Sequence, residues 1–484
     1  MYEFTDEDWS LDWTVFIGAA HRDYFGYSVS LSPDGGTVAI GAPYNDDNGS
    51  SSGQVRVYRL GSTPEQLGHY IHGKSDWDNF GCSVSLSVKG TTTTVAIGAK
   101  RNDDNGLDSG HVRVYTLRIG SWDQLGGDIV GKKAGDKSGE SVSLSEDGRT
   151  VAIGAPYSDD GGTERGRVSV HTLHEDNWVQ LGEDILGEIT YDHSGSSVSL
   201  SADGRTVAIG APDSDENGPG SGHVRVYTRN AVNWVQIDSD MIGDGTGDRS
   251  GNAVSLSSDG MTVAIGSPYD YSVGGYVKVY HLYEARPPPP PHSTKPPCPH
   301  QPHVSPPQSP HAPPDRPIQF SSGYWAQVGG RIEGYTANDA SGHAVSVSSD
   351  GNIVAIGAIH NDDRGDKSGH VRVFIGGETA WSQLGNTIYG LNEDDRTGWA
   401  VSLSSSGTTV AIGAPTGDDG PSLVASEGVL VCTNLLTESG LPTSCYLLDQ
   451  LKMIILDTVY PFLPTEEPWR SVPPTTMTME VAAD

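Results

Sequence analysis

FGYSVSLSPDGGTVAIGAP, running from Phe25 to Pro43, decides how this chain folds. Two short alternating runs, Ser28 to Leu31 and Thr37 to Ile40, flank the corner Asp34-Gly35. Alternation of period two marks strands with one face turned inward. Asp-Gly between them is the strongest short hairpin signal, because glycine takes a positive φ without a Cβ clash. The phrase returns as FGCSVSLS at Phe80, SGESVSLS at Ser138, SGSSVSLS at Ser194, SGNAVSLS at Ser250, SGHAVSVS at Ser341 and TGWAVSLS at Thr397, each followed by VAIGA or a close variant. The starts are 55, 58, 56, 56, 91 and 56 residues apart. Seven repeats of this length, built from short strands, predict a β-propeller.

Each repeat supplies four strand-like stretches, as in SSVSLS (Ser196 to Ser201), TVAIGA (Thr206 to Ala211), HVRVYT (His223 to Thr228) and a Trp strand of the kind WVQLGEDILG (Trp178 to Gly187). The expected fold is therefore all-β, a seven-bladed propeller of four-stranded antiparallel blades. Trp strands begin at Trp9, Trp122, Trp178, Trp234, Trp325 and Trp381, with a Trp-less version ending at Gly73, and none follows the seventh VAIGA. The chain thus starts with the outer strand its last blade lacks. Trp9 to Gly18 is expected to pair beside Glu427 to Thr433, closing the ring and removing two exposed sheet edges.

The long interval contains Arg286 to Pro317, a Pro/His/Ser tract holding fifteen of the thirty prolines. Proline lacks the ladder donor and the tract has little apolar surface, so it is read as a disordered loop inside blade five. His292, Cys298, His300, His303 and His311 within it fit no tetrahedral metal spacing. One ring spanning residues 1–433 is expected, followed by an irregular tail, 434–484, without repeat signals.

Sixty-two acidic against thirty basic residues give a net charge of −32, which argues against nucleic acid and favours cations or basic partners. Cys82, Cys298, Cys432 and Cys445 form no disulfide or zinc pattern. No run reaches the roughly 20 apolar residues of a membrane-spanning helix. The acidic opening, MYEFTDEDWSLDW, has no apolar core of a secretory signal.

FG-x-SVSLS followed by VAIGAP resembles the FG-GAP repeat, the blade unit of the integrin α-chain propeller. Phe25-Gly26 with Gly41-Ala42-Pro43 matches both halves of the name, and Ser or Thr replaces Phe in five copies. The resemblance implies a propeller used for recognition, commonly in extracellular or cell-surface adhesion. Integrin-type calcium loops of the Asp-x-Asp-x-Asp-Gly kind are not carried over: the corners here hold at most one carboxylate, and Ca²⁺ takes about six to eight oxygens.

Two acid sets are candidate binding residues. An Asp stands two residues before every repeat: Asp23, Asp78, Asp136, Asp192, Asp248, Asp339 and Asp395. Another group follows VAIGA: Asp46 and Asp47, Asp103 and Asp104, Asp159 and Asp160, Asp215 and Glu216, Asp362 and Asp363, Asp418 and Asp419, with Asp270 alone in blade five. Both loops follow an even number of antiparallel strands, so both sets belong on one rim, where recognition residues of rigid scaffolds gather. Such residues also build tight turns, and the Asp before each repeat has the competing role of satisfying N–H groups of the Phe-Gly turn. Arg56, Arg113, Arg225, Lys278 and Arg372 recur on the third strand, either paired with carboxylates between blades or solvated at the rim. The Trp residues read as packing anchors.

No convergent catalytic set is present, and His111, His223 and His370 recur around the ring. The sequence favours a non-enzymatic, monomeric recognition ring that binds a protein or glycan through its acidic face, with Ca²⁺ as a candidate ion. The alternatives are a polysaccharide hydrolase or lyase on the same fold and an intracellular scaffold.

Overall fold

The computed structural model describes residues 13–20, 22–284, 323–377, 379–416 and 428–432. They form seven antiparallel sheets, one for each repeat. In the first, Ser28–Leu31 pairs with Thr37–Ala42, which pairs with Gln54–Arg59, which carries Glu65–Gln66 and Ile71–His72 outside it. The inner strands touch one another in chain order, and that of the seventh sheet touches that of the first, so the blades form a closed ring.

Closure is made as the sequence predicts. Trp13–Ile17 runs antiparallel to Gly428–Cys432, from Trp13 opposite Cys432 to Ile17 opposite Gly428. Trp9 lies outside the described residues, as do Asp418, Asp419, the 286–317 tract and the 434–484 tail. The tract does leave from inside blade five: Tyr276–Glu284 pairs with Gly323–Gln327, Glu284 opposite Gly323.

In blades one to six the outer strand is broken in two, whereas the closing strand Trp13–Ile17 is continuous. In blade three, Asn177–Gln180 and Ile185–Leu186 pair with opposite ends of Arg167–His174, leaving a kink at Leu181 to Asp184. The kink carries an anchor for the next blade. The Trp178 indole donates to the Leu125 carbonyl (2.7 Å) across the seam, and Trp122, Trp234 and Trp381 repeat the bond to Leu67, Leu181 and Val328.

The seams explain the rest of the repeated phrase. The second Ser of SVSLS accepts a hydrogen bond from the backbone N–H four residues into the next inner strand, as Leu200 N–H donates to Ser143 Oγ (2.9 Å). The bond occurs at all seven seams, including Leu31 N–H to Ser402 Oγ, which completes the circle. The two glycines of the phrase meet at the same seams: a Cβ on Gly154 would overlap the carbonyl oxygen of Gly195, itself at φ +91°. Neighbouring backbones approach so closely there that only glycine fits.

The core lies between blades. Ala152, Val168, Val170 and Ile185 of blade three pack against Val198, Leu200, Val207 and Ile209 of blade four. Burying each such valine or isoleucine stabilises by roughly 1.5–3 kcal/mol, so every blade depends on its neighbour for its apolar face.

Candidate functional site

The acid-bearing loops share one rim. Asn45 Nδ2 donates to Asp23 (2.8 Å), Asn102 Nδ2 to Asp78 (3.0 Å) and Asn361 Nδ2 to Asp339 (3.3 Å), tying each second-to-third-strand loop to the blade-to-blade loop beside it. In blade three Arg167 makes the tie, reaching Asp136 (3.0 Å) and Asp160 (2.7 Å).

The seven blade-start aspartates are all buried. Most accept from N–H groups three or four residues upstream: Lys74 and Ser75 donate to Asp78, Lys133 to Asp136, Ile189 to Asp192, Gly245 to Asp248, Tyr335 and Thr336 to Asp339, Leu391 and Asn392 to Asp395. The turn they hold is thus the linker that precedes them, and not the Phe-Gly turn that the sequence suggested. Left-handed residues on both sides of the Asp, such as Trp77 (φ +66°) and Asn79 (φ +52°), fold the linker back onto its carboxylate.

The loop acids divide their work. The first of each pair caps its own loop: Ser51 N–H donates to Asp46, Asp108 to Asp103, Glu164 to Asp159, Gly220 to Asp215 and Lys367 to Asp362. Most second acids turn to the third strand of their own blade. Asp47 accepts from Gln54 (2.8 Å), Asp104 lies 3.3 Å from His111 Nδ1, and Glu216 lies 3.2 Å from Arg225. Asp363 stands exposed at that place in blade six. The corner aspartates Asp34, Asp147, Asp203, Asp259 and Asp350 accept from a Ser hydroxyl and a backbone N–H of their own hairpins.

Three of the five third-strand cations pair with carboxylates, Arg113 and Arg225 with acids of their own blades and Arg225 and Lys278 with Glu188 and Asp244 across the seam, while Arg56 and Arg372 are buried without one among the described residues. Arg113 forks onto Asp128 (3.1 and 3.3 Å), Arg225 onto Asp240, and Lys278 meets Asp244 (2.5 Å). Burial pushes the Asp128 carboxyl up, but Gln124 and Arg113 outweigh it and hold it below the usual range. Burial and the nearby Asp240 push Glu216 up to about 7. Asp128, Asp184 and Asp240 escaped the sequence reading. A signal was there: each stands at the outer-strand kink, 17 residues after His111, Arg167 and His223. Asp104, His111 and Asp128, and likewise Glu216, His223 and Asp240, lie close enough to share an ion, but Arg113 and Arg225 already supply a cation to each group.

Two further groups went unread. The residue after the repeat's Gly varies, and near ring closure it is aromatic: Tyr27 lies 5.5 Å from Trp399, which lies 4.9 Å from His343, while Tyr24 packs on Tyr44 at 4.8 Å. His193 joins Asp213 (2.7 Å) to Glu164 (3.0 Å), and the hydrogen bonds to these two acids raise its pKa.

The FG-GAP repeat family matches residues 18–58, 73–115 and 131–171. Three of the seven repeats thus match that family, and the seven blades built on one phrase support an FG-GAP repeat propeller. No curated protein matches it by sequence. Among solved structures, a Bacteroides uniformis protein described as a candidate 6-phosphogluconolactonase aligns at 13% identity and TM-score 0.47, covering 75% of this chain and 85% of its own. Hydrazine synthase of Kuenenia stuttgartiensis aligns at 14% identity and TM-score 0.48, covering 82% and 94%. No helix among the described residues is long and apolar enough to cross a membrane.

Proposed function

We propose that this FG-GAP propeller is a non-enzymatic recognition protein, of the adhesion kind, that binds a basic protein partner on the rim carrying the acid loops. One observation carries the reading. Of the five exposed aromatic side chains among the described residues, four (Trp77, Tyr191, Tyr271 and Tyr335) sit in loops of that rim, with Trp77 56% and Tyr271 64% exposed. Aromatic anchors surrounded by a charged border are the usual makeup of a protein-binding surface. Beside them, the exposed acids Asp46, Asp103, Asp159, Asp215 and Asp362 cap the second-to-third-strand loops through one oxygen each, so rigid turns also present negative charge. The fixed ring suits a surface that binds without rearranging.

The test is an array of surface proteins and glycans probed with the wild-type chain and with the triple variant Trp77→Ala, Tyr191→Ala, Tyr271→Ala. Protein retention is expected, falling with added salt and at least about tenfold weaker in the variant. Retention indifferent to both changes, or release of cleaved saccharide, would overturn the reading; the second result would favour the hydrolase or lyase.

A further inference from the structure

We propose that the seam between blades five and six is a carboxylate-binding site built from Arg372, Gln383 and Thr387. It takes an acidic group from outside where blades two and four supply an aspartate of their own. The inference is independent of the partner argued above and comes from comparing equivalent seams.

In blade two, Arg113 Nε and Nη2 fork onto Asp128, which also accepts from Gln124 Nε2 (2.6 Å). Blade four repeats the arrangement with Arg225, Asp240 and Gln236 (2.6 Å). Blade six keeps the arginine and the glutamine as Arg372 and Gln383, but Thr387 stands where the aspartate would be. Gln383 Nε2 donates to the Thr387 hydroxyl at 3.2 Å.

Arg372 is left without a carboxylate within ion-pair distance among the described residues, although it is only 3% exposed. Its Nη2 donates to the Glu333 carbonyl (2.6 Å) and to Ser341 Oγ (3.3 Å), while Nε has no partner. Nε is one of the two atoms that bind the aspartate in both sister seams. Asp339, the acid that acts on it most among the described residues, is engaged by Tyr335, Thr336 and Asn361. Tyr335 lies over the guanidinium at 4.2 Å, a contact with the ring face that leaves Nε unpaired. His370 beside it is fully buried with both ring nitrogens unpaired. A buried guanidinium with an orphaned donor is costly, and a forked carboxylate is the group whose geometry matches it best.

The site is reachable. The sister aspartates keep 21% and 16% of their side chains exposed, so this position opens to solvent at the rim. Thr387 and Gln383 are part-exposed, and Tyr335 is half-exposed.

Melting of the full chain in sodium acetate, against sodium chloride of equal ionic strength, tests the proposal. Acetate at about 0.1 M is expected to raise the midpoint by about 1–2 °C. Arg372→Met should abolish that response. Thr387→Asp, which restores the internal partner, should melt higher in chloride and no longer respond to acetate. A blocked tripeptide, N-acetyl-Gly-Asp-Gly-amide, beside its Asn counterpart, separates the sources. Stabilisation at lower concentration than acetate assigns the acid to a protein side chain, and the reverse ranking assigns it to a free small acid. A wild-type chain indifferent to both probes, or variants responding as the wild type does, would overturn the site even if Thr387→Asp is stabilising.

Discussion

Replacing Ser143 by alanine tests whether the serine ring holds the blades together. Ser143 Oγ accepts the Leu200 N–H at 2.9 Å, and Leu200 is buried against the blade-three face. Removing the acceptor orphans a buried amide, which costs about 1–3 kcal/mol. Ser141, two residues earlier, is the internal control. Its hydroxyl donates to the Gly195 carbonyl (2.8 Å), but blades five, six and seven carry Ala253, Ala344 and Ala400 at that place and keep the same strand pairing. Three blades thus keep their pairing without a hydroxyl at this place, so Ser141→Ala should cost no more than about 0.5–1 kcal/mol. Equilibrium denaturation of both variants, fitted with a common slope, measures the difference. Equal losses, or a silent Ser143→Ala, would refute the assignment of ring cohesion to the second serine.

Phe16 is buried in the closing strand with its ring 4.6 Å from Tyr58, so Phe16→Ala should lose about 3–5 kcal/mol in denaturation; a loss below about 1 kcal/mol would mean that this strand does not seal the ring. Glu216 titrates above its ordinary value because of burial and Asp240, so the folded chain holds a proton that the unfolded chain releases. Its contribution is complete below about pH 4.5 and lost as pH rises through about 7. Glu216→Gln should therefore flatten the fall in stability between these values, and an unchanged slope would count against the crowding. The corner and first-loop acids are spent on their own turns, one carboxylate each, while Ca²⁺ needs about six to eight oxygens. Millimolar Ca²⁺ or chelator should leave the melting midpoint unmoved, and a rise of several degrees with Ca²⁺ would reinstate the ion.

The fold was legible because strand alternation and Asp-Gly corners are local properties, written in stretches of six residues. Closure by the first strand was legible too, from one Trp strand too many at the start and one too few at the end. What each residue touches was harder to read, because most decisive partners lie one blade away, about 56 residues along the chain. Gly154 and Gly195 look like turn glycines, yet they matter because two backbones meet there. Asp78 and its equivalents look like ligands or Phe-Gly caps, yet they hold the linker behind them. Asp128 passed unnoticed because a single acid in an outer strand is ordinary until Arg113 is placed beside it.

What stays constant around the ring and what varies have different physical consequences. The serine bonds and glycine contacts recur at every seam, so they fix spacing and favour no particular neighbour. The rim ends of the seams differ. Lys74 and Lys132 reach forward to acids of the next blade, Asp128 and Asp184, whereas Glu188 and Asp244 reach forward to cations, Arg225 and Lys278. Docking a blade on the wrong neighbour would set lysine toward lysine or acid toward acid, so these pairs distinguish one blade order from another. One partner of each pair is exposed, which limits the stability it adds, and their value lies in specificity. Between blades five and six that pairing stops: Tyr335 replaces the linker charge, Thr387 replaces the acid, and Arg372 remains. A scaffold needs its pairs satisfied: Arg56 of blade one, which also lacks both acids, spends its Nε on Gln54, whereas Arg372 keeps its Nε for an outside acid.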